Sequence, residues 1–288
     1  LGVVGDSGGD EVTVKADVVV DASGKSGFII DHVMEESANT SEEQESAGIL
    51  YFTRHYRLKP GMDEPSRTEN PPATGDLGFV KFGVFPGDNG CFSITLAIPE
   101  VEMELRRWRE LVVDGRPAAH GYFALGDTLI RTNPLYGRGC SFAAASAQVL
   151  RQTLDESADP EARALAFHKR LHSELKPYYI NQRTQDRSAI KRARQALTPD
   201  YRKSRRAKLM ESFFVDGVGI AVRYDIALMR EAMRGFHMLE HPNKWLGRPR
   251  NLAKVFYYWM RGKKRNAVAY PPKPGPERRE MMRALSLD

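Results

Sequence analysis

Apolar runs that end in short turn signals mark the predicted buried elements of this chain. Residues 16–20 are rich in valine and lead into Ser23-Gly24, a pattern typical of a buried parallel strand followed by a turn. Tyr122–Leu125 is a second apolar run, and it leads directly into Gly126-Asp127. From Cys140 onward, apolar residues recur at helical spacing in an alanine-rich stretch. The sequence therefore predicts two buried strands, the second followed by a loop and a helix.

Three further strand-like runs lie between these two strands: Ile49–Leu58, Leu77–Phe85 and Cys91–Ile98. Residues 86–90 read Pro-Gly-Asp-Asn-Gly, which is a hairpin turn signal between the last two runs. The pattern predicts an antiparallel meander.

Polar and charged stretches predict the remaining elements. Residues 31–47 are rich in glutamate and predict a mobile loop. Glu100–Arg109 predicts a short charged helix, and Pro160–Arg194 predicts a helical region kinked at Pro177.

The composition limits the kind of protein. The 288 residues can form one large core or two smaller ones, and 41% hydrophobic and 28% charged residues are ordinary for a soluble protein. No run approaches the roughly 18 apolar residues that a membrane span needs. Cys91 and Cys140 form neither a disulfide framework nor a metal cluster. We expect a reducing, cytoplasmic setting.

The charge is unevenly distributed along the chain. Residues 190–288 contain 23 Lys and Arg but only 9 Asp and Glu, whereas the preceding residues are net acidic. Such asymmetry is seen in proteins that bind nucleic acids or anionic membranes. The apolar periodicity of Val218–Leu239 and Leu252–Met260 instead favours packed helices with solvated basic faces. We expect no specific nucleic-acid binding, and residues 254–265 are the candidate for weak contact with a membrane surface.

His168 and His172 have the spacing of two metal ligands on one helix face. No glutamate follows His168 as in zinc proteases, so the sequence alone predicts no metal site.

The loop between the second strand and its helix carries the candidate chemistry. Asp127 is a carboxylate at a strand end, Asn133-Pro134 signals a turn, and Gly137 and Gly139 allow close approach of the backbone to a ligand. A helix start offers free N–H donors and partial positive charge, which suits an anion or an electron-rich ring edge. An ordinary strand–loop–helix connection is the alternative.

This segment resembles the GD motif of the FAD-dependent monooxygenases, the aromatic-hydroxylase-like flavoproteins. The resemblance covers about 30 residues, from Gly126-Asp127 through Asn133-Pro-Leu-Tyr-Gly137-Arg-Gly139 into the helix. It implies that Asp127 binds the ribose or ribityl hydroxyls of FAD and that the loop and helix start lie against the isoalloxazine ring. The cofactor-binding residues that it implies here are Gly126, Asp127, Pro134, Gly137, Gly139, Cys140 and Ser141.

Val20-Asp21-Ala22-Ser23-Gly24 resembles a second signature of the same family, the DG motif. It implies that Ser23 and Gly24 also bind the cofactor. Ser23 stands where the monooxygenases carry aspartate, which is more typical of the flavin-dependent halogenase and geranylgeranyl-reductase branches. This departure leaves the electron source open between NAD(P)H and a separate flavin reductase.

The resemblance implies an α/β fold: a partial glutathione-reductase-like FAD-binding fold with an inserted antiparallel substrate sheet and a helical C-terminal region. Residues 1–30 and 111–189 would belong to the FAD-binding domain, 31–110 to the substrate sheet, and 190–288 to the basic helical region. No Gly-x-Gly-x-x-Gly opens a helix after a strand. We therefore expect a C-terminal fragment that lacks this unit, and an internal stretch missing near Arg106.

The function that the resemblance implies is FAD-dependent hydroxylation of a hydrophobic or aromatic small molecule, in which reduced flavin and O₂ form a C4a-hydroperoxide. Arg54, His55 and Arg57 are candidates for binding an acidic substrate group, although exposed strand residues are the alternative; the catalytic residue is unknown. A reductase or halogenase of the same fold is the second reading. Ile98-Pro99 matches part of the halogenase signature, without its tryptophans. A non-enzymatic basic binding module is the third.

Overall fold

A computed structural model describes residues 2–7, 10–63, 73–99, 105–198, 201–271 and 275–286 of the chain. The chain divides into two compact units. The first unit comprises Leu1–Ala47 and Glu102–Asp186, and the second comprises Gly48–Val101 and Arg187–Asp288. Each unit is therefore made from two separate segments of the sequence.

Among the described residues, the first unit contains short strands, three complete helices and the beginning of a fourth. Its strands are β1 (Gly2–Ser7), β2 (Asp10–Lys15), β3 (Val19–Asp21), β4 (Ser41–Ser46), β9 (Leu105–Glu110), β10 (Val112–Val113), β11 (Arg116–Pro117), β12 (Tyr122–Ala124) and β13 (Ile130–Arg131). Its helices are α1 (Phe28–Glu36), α2 (Gly139–Glu156) and α3 (Pro160–Glu174). The predicted strand–loop–helix order around residue 126 is confirmed by β12 and α2.

The pairing of these strands is mostly antiparallel. β1 pairs with β2, β10 pairs with β11, and β9 lies between β4 and β13, all antiparallel. β3 and β12 are parallel to each other. This parallel pair joins two segments that lie about a hundred residues apart in the sequence, and it places their following loops side by side.

Aromatic side chains fill the core of the first unit. Phe123 on β12 is almost fully buried and meets Phe167 on α3 edge to face, with 5.3 Å between the ring centroids. Trp108 on β9 is equally buried and lies 5.3 Å from the ring of Tyr179. Burying one such side chain contributes roughly 1.5–3 kcal/mol, so these contacts hold β9 and β12 against the helices.

Two predictions from charged stretches were wrong. Residues 31–47, predicted as a mobile loop, form the end of α1 and strand β4. Within Glu100–Arg109, predicted as helical, residues 100–104 lie outside the described residues and the remainder belongs to β9. The two strands pair, with Glu42 opposite Arg109 and Glu45 opposite Arg106. The glutamates of β4 therefore face the arginines of β9. Because these charges are neutralised only when the strands pair, neither sequence has the alternating apolar pattern of a strand by itself.

The second unit contains an antiparallel sheet. Its strands are β5 (Ile49–Arg57), β6 (Thr74–Asp76), β7 (Lys81–Pro86) and β8 (Cys91–Pro99), in the order β5-β8-β7-β6. The predicted antiparallel arrangement and the hairpin before Cys91 are confirmed. Only the later part of the predicted run Leu77–Phe85 is strand, because residues 77–80 form the turn between β6 and β7, with φ of +85° at Gly78.

Helices make up the rest of the second unit. The helix α4 (Lys176–Leu197) runs across the boundary between the units in sequence, and the helices that follow it are α5 (Arg205–Ser212), a π-helical turn (Phe213–Val218), α6 (Gly219–Tyr224), α7 (Ile226–Phe236), α8 (Pro249–Arg265) and α9 (Arg278–Ala284). Ala221, Leu228, Trp245 and Val255 form a buried cluster between α6, α7 and α8. The basic segment thus has an apolar core, as its periodicity predicts. Among the described residues, no helix is both long and apolar enough to cross a membrane.

Candidate functional site

The two loops that carry the sequence motifs are neighbours. In the parallel pair, Val19 lies opposite Tyr122 and Asp21 lies opposite Ala124. The chain leaves both strands at the same edge, so the segment after Asp21 and the turn at Gly126 emerge together. The carboxyl ends of parallel strands are where α/β proteins bind ligands.

Asp21 organises the first of these loops from inside the protein. Its Oδ1 accepts hydrogen bonds from the hydroxyl and the backbone N–H of Ser23 at 2.5 and 3.0 Å, and its Oδ2 accepts one from the Tyr122 hydroxyl at 2.8 Å. Burial raises the pKa of this carboxyl, but the bonds from Ser23 and Tyr122 outweigh burial and hold the pKa below its usual value. Burial and the bond to Asp21 raise the pKa of Tyr122. Asp21 is therefore an ionised structural anchor.

A direct hydrogen bond joins the two loops. The backbone N–H of Gly24 donates to Oγ1 of Thr128 at 2.7 Å. Gly24 has φ of +77°, a left-handed conformation that glycine adopts without the usual penalty. Ser23, the other residue predicted in this loop, is exposed, although its hydroxyl is bound to Asp21.

Gly126 brings the second loop close to helix α2. It has φ of +59°, and its N–H donates to the hydroxyl of Ser146 at 3.3 Å. A Cβ at this position would lie 3.1 Å from the Cβ of Ala143. Both the backbone conformation and the space therefore favour glycine, and the turn rests directly on the first turns of α2.

Asp127 is exposed and faces the start of α2. It lies in a 3₁₀ turn, Gly126–Thr128, and its Oδ1 is 3.7 Å from the point where a Cβ of Gly139 would be. The N-terminus of α2 has no side-chain cap. Within the described ranges, Asp127 makes no hydrogen bond or ion pair that would give it a structural role.

The loop at residues 133–137, which leads into α2, is anchored by the buried Asn133 and exposed at Pro134 and Gly137. Asn133 accepts a bond from the N–H of Leu135 at 3.0 Å and donates to Asp186 at 2.9 Å. Pro134 is exposed and begins a 3₁₀ turn, Pro134–Tyr136. Gly137 has φ of +62°, and a Cβ there would meet nothing within 4 Å. The backbone at Gly137 therefore faces open space.

The first turn of α2 adds uncapped donors beside the Asp127 carboxylate. Cys140 and Ser141 are both exposed, and Cys140 is a free thiol. The first N–H groups of a helix have no partner within the helix and carry partial positive charge. An exposed carboxylate, free N–H donors and an open glycine backbone can bind a ligand that has both hydroxyl groups and an electron-rich edge.

The three candidate substrate residues lie in the second unit. Arg54, His55 and Arg57 are all exposed on β5. Side chains alternate along a strand, so Arg54 lies on one face of the sheet while His55 and Arg57 lie on the other. The Arg54 guanidinium sits 5.7 Å from the ring centroid of Tyr56. All three cannot face a single small ligand on one side of this sheet, and their substrate role stays a prediction.

Sequence reasoning missed residues that shape the site. Thr128 bonds Gly24, Tyr122 bonds Asp21, and Ser146 bonds Gly126. Thr128 follows Asp127 directly, so its position beside the turn could have suggested a role. The other two partners depend on the parallel pairing and on the packing of α2, which no local pattern reveals.

Comparison with known proteins identifies the fold. The chain matches no protein-family model and no curated protein. The structure of the Diels-Alderase PyrE3, from the biosynthetic pathway of pyrroindomycins, aligns with 83% of this chain and 53% of its own, at TM-score 0.55 and 12% identity. The anhydrotetracycline hydroxylase OxyS from Streptomyces rimosus aligns with 80% of this chain and 47% of its own, at TM-score 0.50 and 14% identity.

A third similarity is weaker. PqsL, a probable FAD-dependent monooxygenase from Pseudomonas aeruginosa, aligns with 64% of this chain and 59% of its own at TM-score 0.44 and 16% identity. At this TM-score the similarity does not support a shared fold. The chain spans about half the length of the first two proteins. It shares their mixed α/β fold, and at such identities the likeness concerns the fold alone.

Proposed function

We propose that this chain is part of an FAD-dependent oxidoreductase of the monooxygenase kind that acts on a hydrophobic or aromatic small molecule. The observation that carries the proposal is the pairing of β3 with β12. It sets the Ser23-Gly24 loop beside the Gly126-Asp127 turn, and the bond from Gly24 to Thr128 joins them. The two segments that resemble flavoprotein signatures thus form one continuous surface.

The described residues fit a flavin dinucleotide. Asp127 would accept hydrogen bonds from FAD hydroxyls, because its carboxylate is exposed and has no other role in the part of the chain that the structure describes. Gly137 and Gly139 would lie against the ring, since the backbone at Gly137 faces open space. Pro134, Cys140 and Ser141 line the same loop and helix start.

The chemistry of such a site belongs mainly to the cofactor: bound FAD accepts and donates electrons and activates O₂. The contribution of the chain is binding and electrostatics. The uncapped start of α2 would favour negative charge at the near edge of the flavin, because helix N-termini stabilise anions. We assign no acid or base, and the electron donor stays open between NAD(P)H and a flavin reductase.

The remaining roles are proposals of the same kind. Residues 1–30 and 111–189 would hold FAD. The substrate sheet, placed at 31–110, would centre on β5–β8, because β4 and β9 fall in the first unit. A cytoplasmic setting would fit the two free cysteines.

One observation favours a second candidate within the same class. Ser23 replaces the aspartate of the monooxygenase motif, and its hydroxyl is engaged by Asp21. This departure is more typical of the halogenase and geranylgeranyl-reductase branches, so a reductase or halogenase is the alternative reaction on the same cofactor.

The test removes the carboxylate that would hold FAD. Asp127→Ala in the longest natural reading frame that contains this chain should weaken FAD binding by about one to two orders of magnitude, because a charge-assisted hydrogen bond contributes roughly 1.5–3 kcal/mol. Flavin fluorescence quenching measures the affinity, and thermal melting measures the stability. Asp155→Ala is the matched control, since it removes an exposed carboxylate at the far end of α2. Unchanged affinity together with a lower melting temperature would make Asp127 a scaffold residue.

A further inference from the structure

A cluster in the first unit, away from the two loops in sequence, brings a carboxylate to two histidines. Glu110 ends strand β9, and His168 and His172 lie one turn apart on α3. Glu110 Oε2 is 2.6 Å from His172 Nε2 and 3.3 Å from His168 Nδ1. One atom from each of the three side chains lies within 4.8 Å of the other two. The missing acidic partner of the histidine pair therefore comes from a strand and not from the helix.

The other oxygen of Glu110 is held by separate groups. Lys176 Nζ lies 2.5 Å from Oε1, and the indole N–H of Trp108 donates to the same oxygen at 2.8 Å. Trp108 is almost fully buried, so it gives the carboxylate a rigid orientation. Hydrogen bonds of this kind orient metal-binding side chains in known metal sites. They leave Oε2 directed toward the imidazoles.

Packing within the cluster shifts two of its pKa values. Burial lowers the pKa of His168, and His172 and Lys176 lower it further against the opposing effect of Glu110. Burial acts to raise the pKa of Glu110, but Lys176 and His172 outweigh it and hold the pKa below its usual value.

We propose that Glu110, His168 and His172 form a binding site for a divalent transition-metal ion of the Zn²⁺ type. Two histidines and one carboxylate form a three-ligand set that leaves one position for water or another ligand. Tetrahedral bonds of 2.0–2.1 Å place ligand atoms about 3.3 Å apart. The ligand atoms lie within 4.8 Å of one another, so any spacing must close by at most about 1.5 Å, and the 2.6 Å spacing must open. Rotation of the partly exposed side chains can supply both changes.

The cluster is accessible from solvent, and a small apolar cavity lies beside it. His168 and His172 are both partly exposed, so an ion can enter without unfolding. His168 lines a small apolar cavity with Val112, Phe123 and Phe167. An apolar wall beside a metal position strengthens the electrostatic interactions there, because it lowers the local dielectric.

The experiment measures metal affinity directly. The chain, without an affinity tag and stripped with a chelator, is titrated with Co²⁺ by absorption spectroscopy and then with Zn²⁺ against a chromophoric chelator. We expect one ion per chain at this site. His168→Gln with His172→Gln should weaken Zn²⁺ binding by about 100-fold or more, since even loss of an orienting residue costs 10–100-fold.

The chain offers a matched control. His237 and His241 are also spaced i, i+4, but they lie in the second unit and belong to no metal-competent cluster found among the described residues. His237→Gln with His241→Gln should leave the affinity within about twofold, well inside the effect of losing a ligand. Equal Zn²⁺ affinity of the wild-type chain and the His168/His172 variant would overturn the proposal, as would the absence of Zn²⁺ binding to the wild-type chain.

Glu110→Gln keeps the test decisive if the histidine variant fails to fold. It removes the negative charge of the carboxylate ligand and retains an oxygen that can accept the bond from Trp108. Zn²⁺ binding should weaken about fivefold or more, the effect of one nearby opposite charge in a high-dielectric setting. Unchanged or tighter binding to this variant would overturn the proposal. FAD plays no part in these measurements, so their outcome is independent of the proposed function.

Discussion

Asp21 ends β3 and Asp127 lies in the turn after the adjoining β12, but the two carboxylates have opposite surroundings. Asp21 is buried with three hydrogen bonds, whereas Asp127 is exposed. A buried carboxylate with all its partners inside the protein contributes to stability. An exposed carboxylate that faces a helix start is instead available to a ligand. The two residues therefore predict different consequences of substitution.

Asp21→Asn should destabilise the chain by about 1–3 kcal/mol at neutral pH, because the amide cannot accept bonds from both Ser23 and Tyr122. The folded-state pKa of Asp21 lies below its unfolded value of about 3.9. Its ionised form therefore stabilises the fold fully above that unfolded pKa, and the stabilisation is lost as the pH falls through the folded pKa. Thermal melts between about pH 3 and 7 should show the wild-type advantage shrinking only at the acid end. An advantage independent of pH would contradict this role.

At the scale of elements, the two left-handed glycines of the second loop differ in their surroundings. Gly126 lies against Ala143, whereas Gly137 faces open space. Both substitutions to alanine incur the backbone cost of about 1–2 kcal/mol. Gly126→Ala should cost more, because its Cβ also presses on α2. Gly137→Ala should lower the free energy of unfolding by little more than that backbone cost. It should nevertheless weaken FAD binding. Equal melting temperatures for the two variants would contradict this difference, because they would show that α2 accommodates the added Cβ of Gly126→Ala without loss of stability.

The elements with local apolar patterns could be predicted from the sequence. Strand β12, helix α2 and the antiparallel strands β5, β7 and β8 follow from runs and periodicity, whereas the short strand β6 lies outside the predicted runs. Strands β4 and β9 could not, since their charged side chains read as loop and helix. Their ion pairs, such as Arg109 with Glu42 at 2.8 Å and Arg106 with Glu45 at 3.1 Å, form only after the strands meet. Long-range pairing thus overrides local preference.

Some features of the candidate site could also be predicted from the local sequence, and others could not. The Gly126–Asp127 turn and the uncapped helix start were predictable, because turn residues and helix starts have local signatures. The bond of Gly24 to Thr128 was not, since it spans 104 positions in the sequence. The partnership of Glu110 with His168 and His172 escaped prediction for the same reason, and the histidine pair alone argued against a metal.

At the scale of the molecule, the basic C-terminal segment pairs part of its charge internally. Arg248 lies 2.7 Å from Glu240, and Lys254 is bonded to Asp225. Phe256, Tyr257 and Met260 are exposed on α8, so weak contact of residues 254–265 with a membrane surface stays a prediction. Internal pairing reduces the charge that is free to bind DNA.

We therefore expect only non-specific DNA binding by this segment. Its affinity, measured by fluorescence anisotropy on unrelated duplexes, should fall at least about tenfold between 50 and 200 mM salt, because binding releases counterions. Lys264→Gln should weaken binding more than Lys254→Gln, since Lys264 has no ion-pair partner among the described residues. Tight, sequence-selective binding at high salt would favour the binding-module reading.

A visible spectrum tests most directly whether the protein binds flavin. The longest natural reading frame that contains this chain is purified, and its absorption and flavin fluorescence are recorded before and after denaturation. We predict a yellow protein that carries non-covalent FAD at about one per chain, because the loops after β3 and β12 emerge together at a ligand-binding edge. A colourless protein that does not respond to added FAD would contradict the assignment of this fold to a flavoprotein.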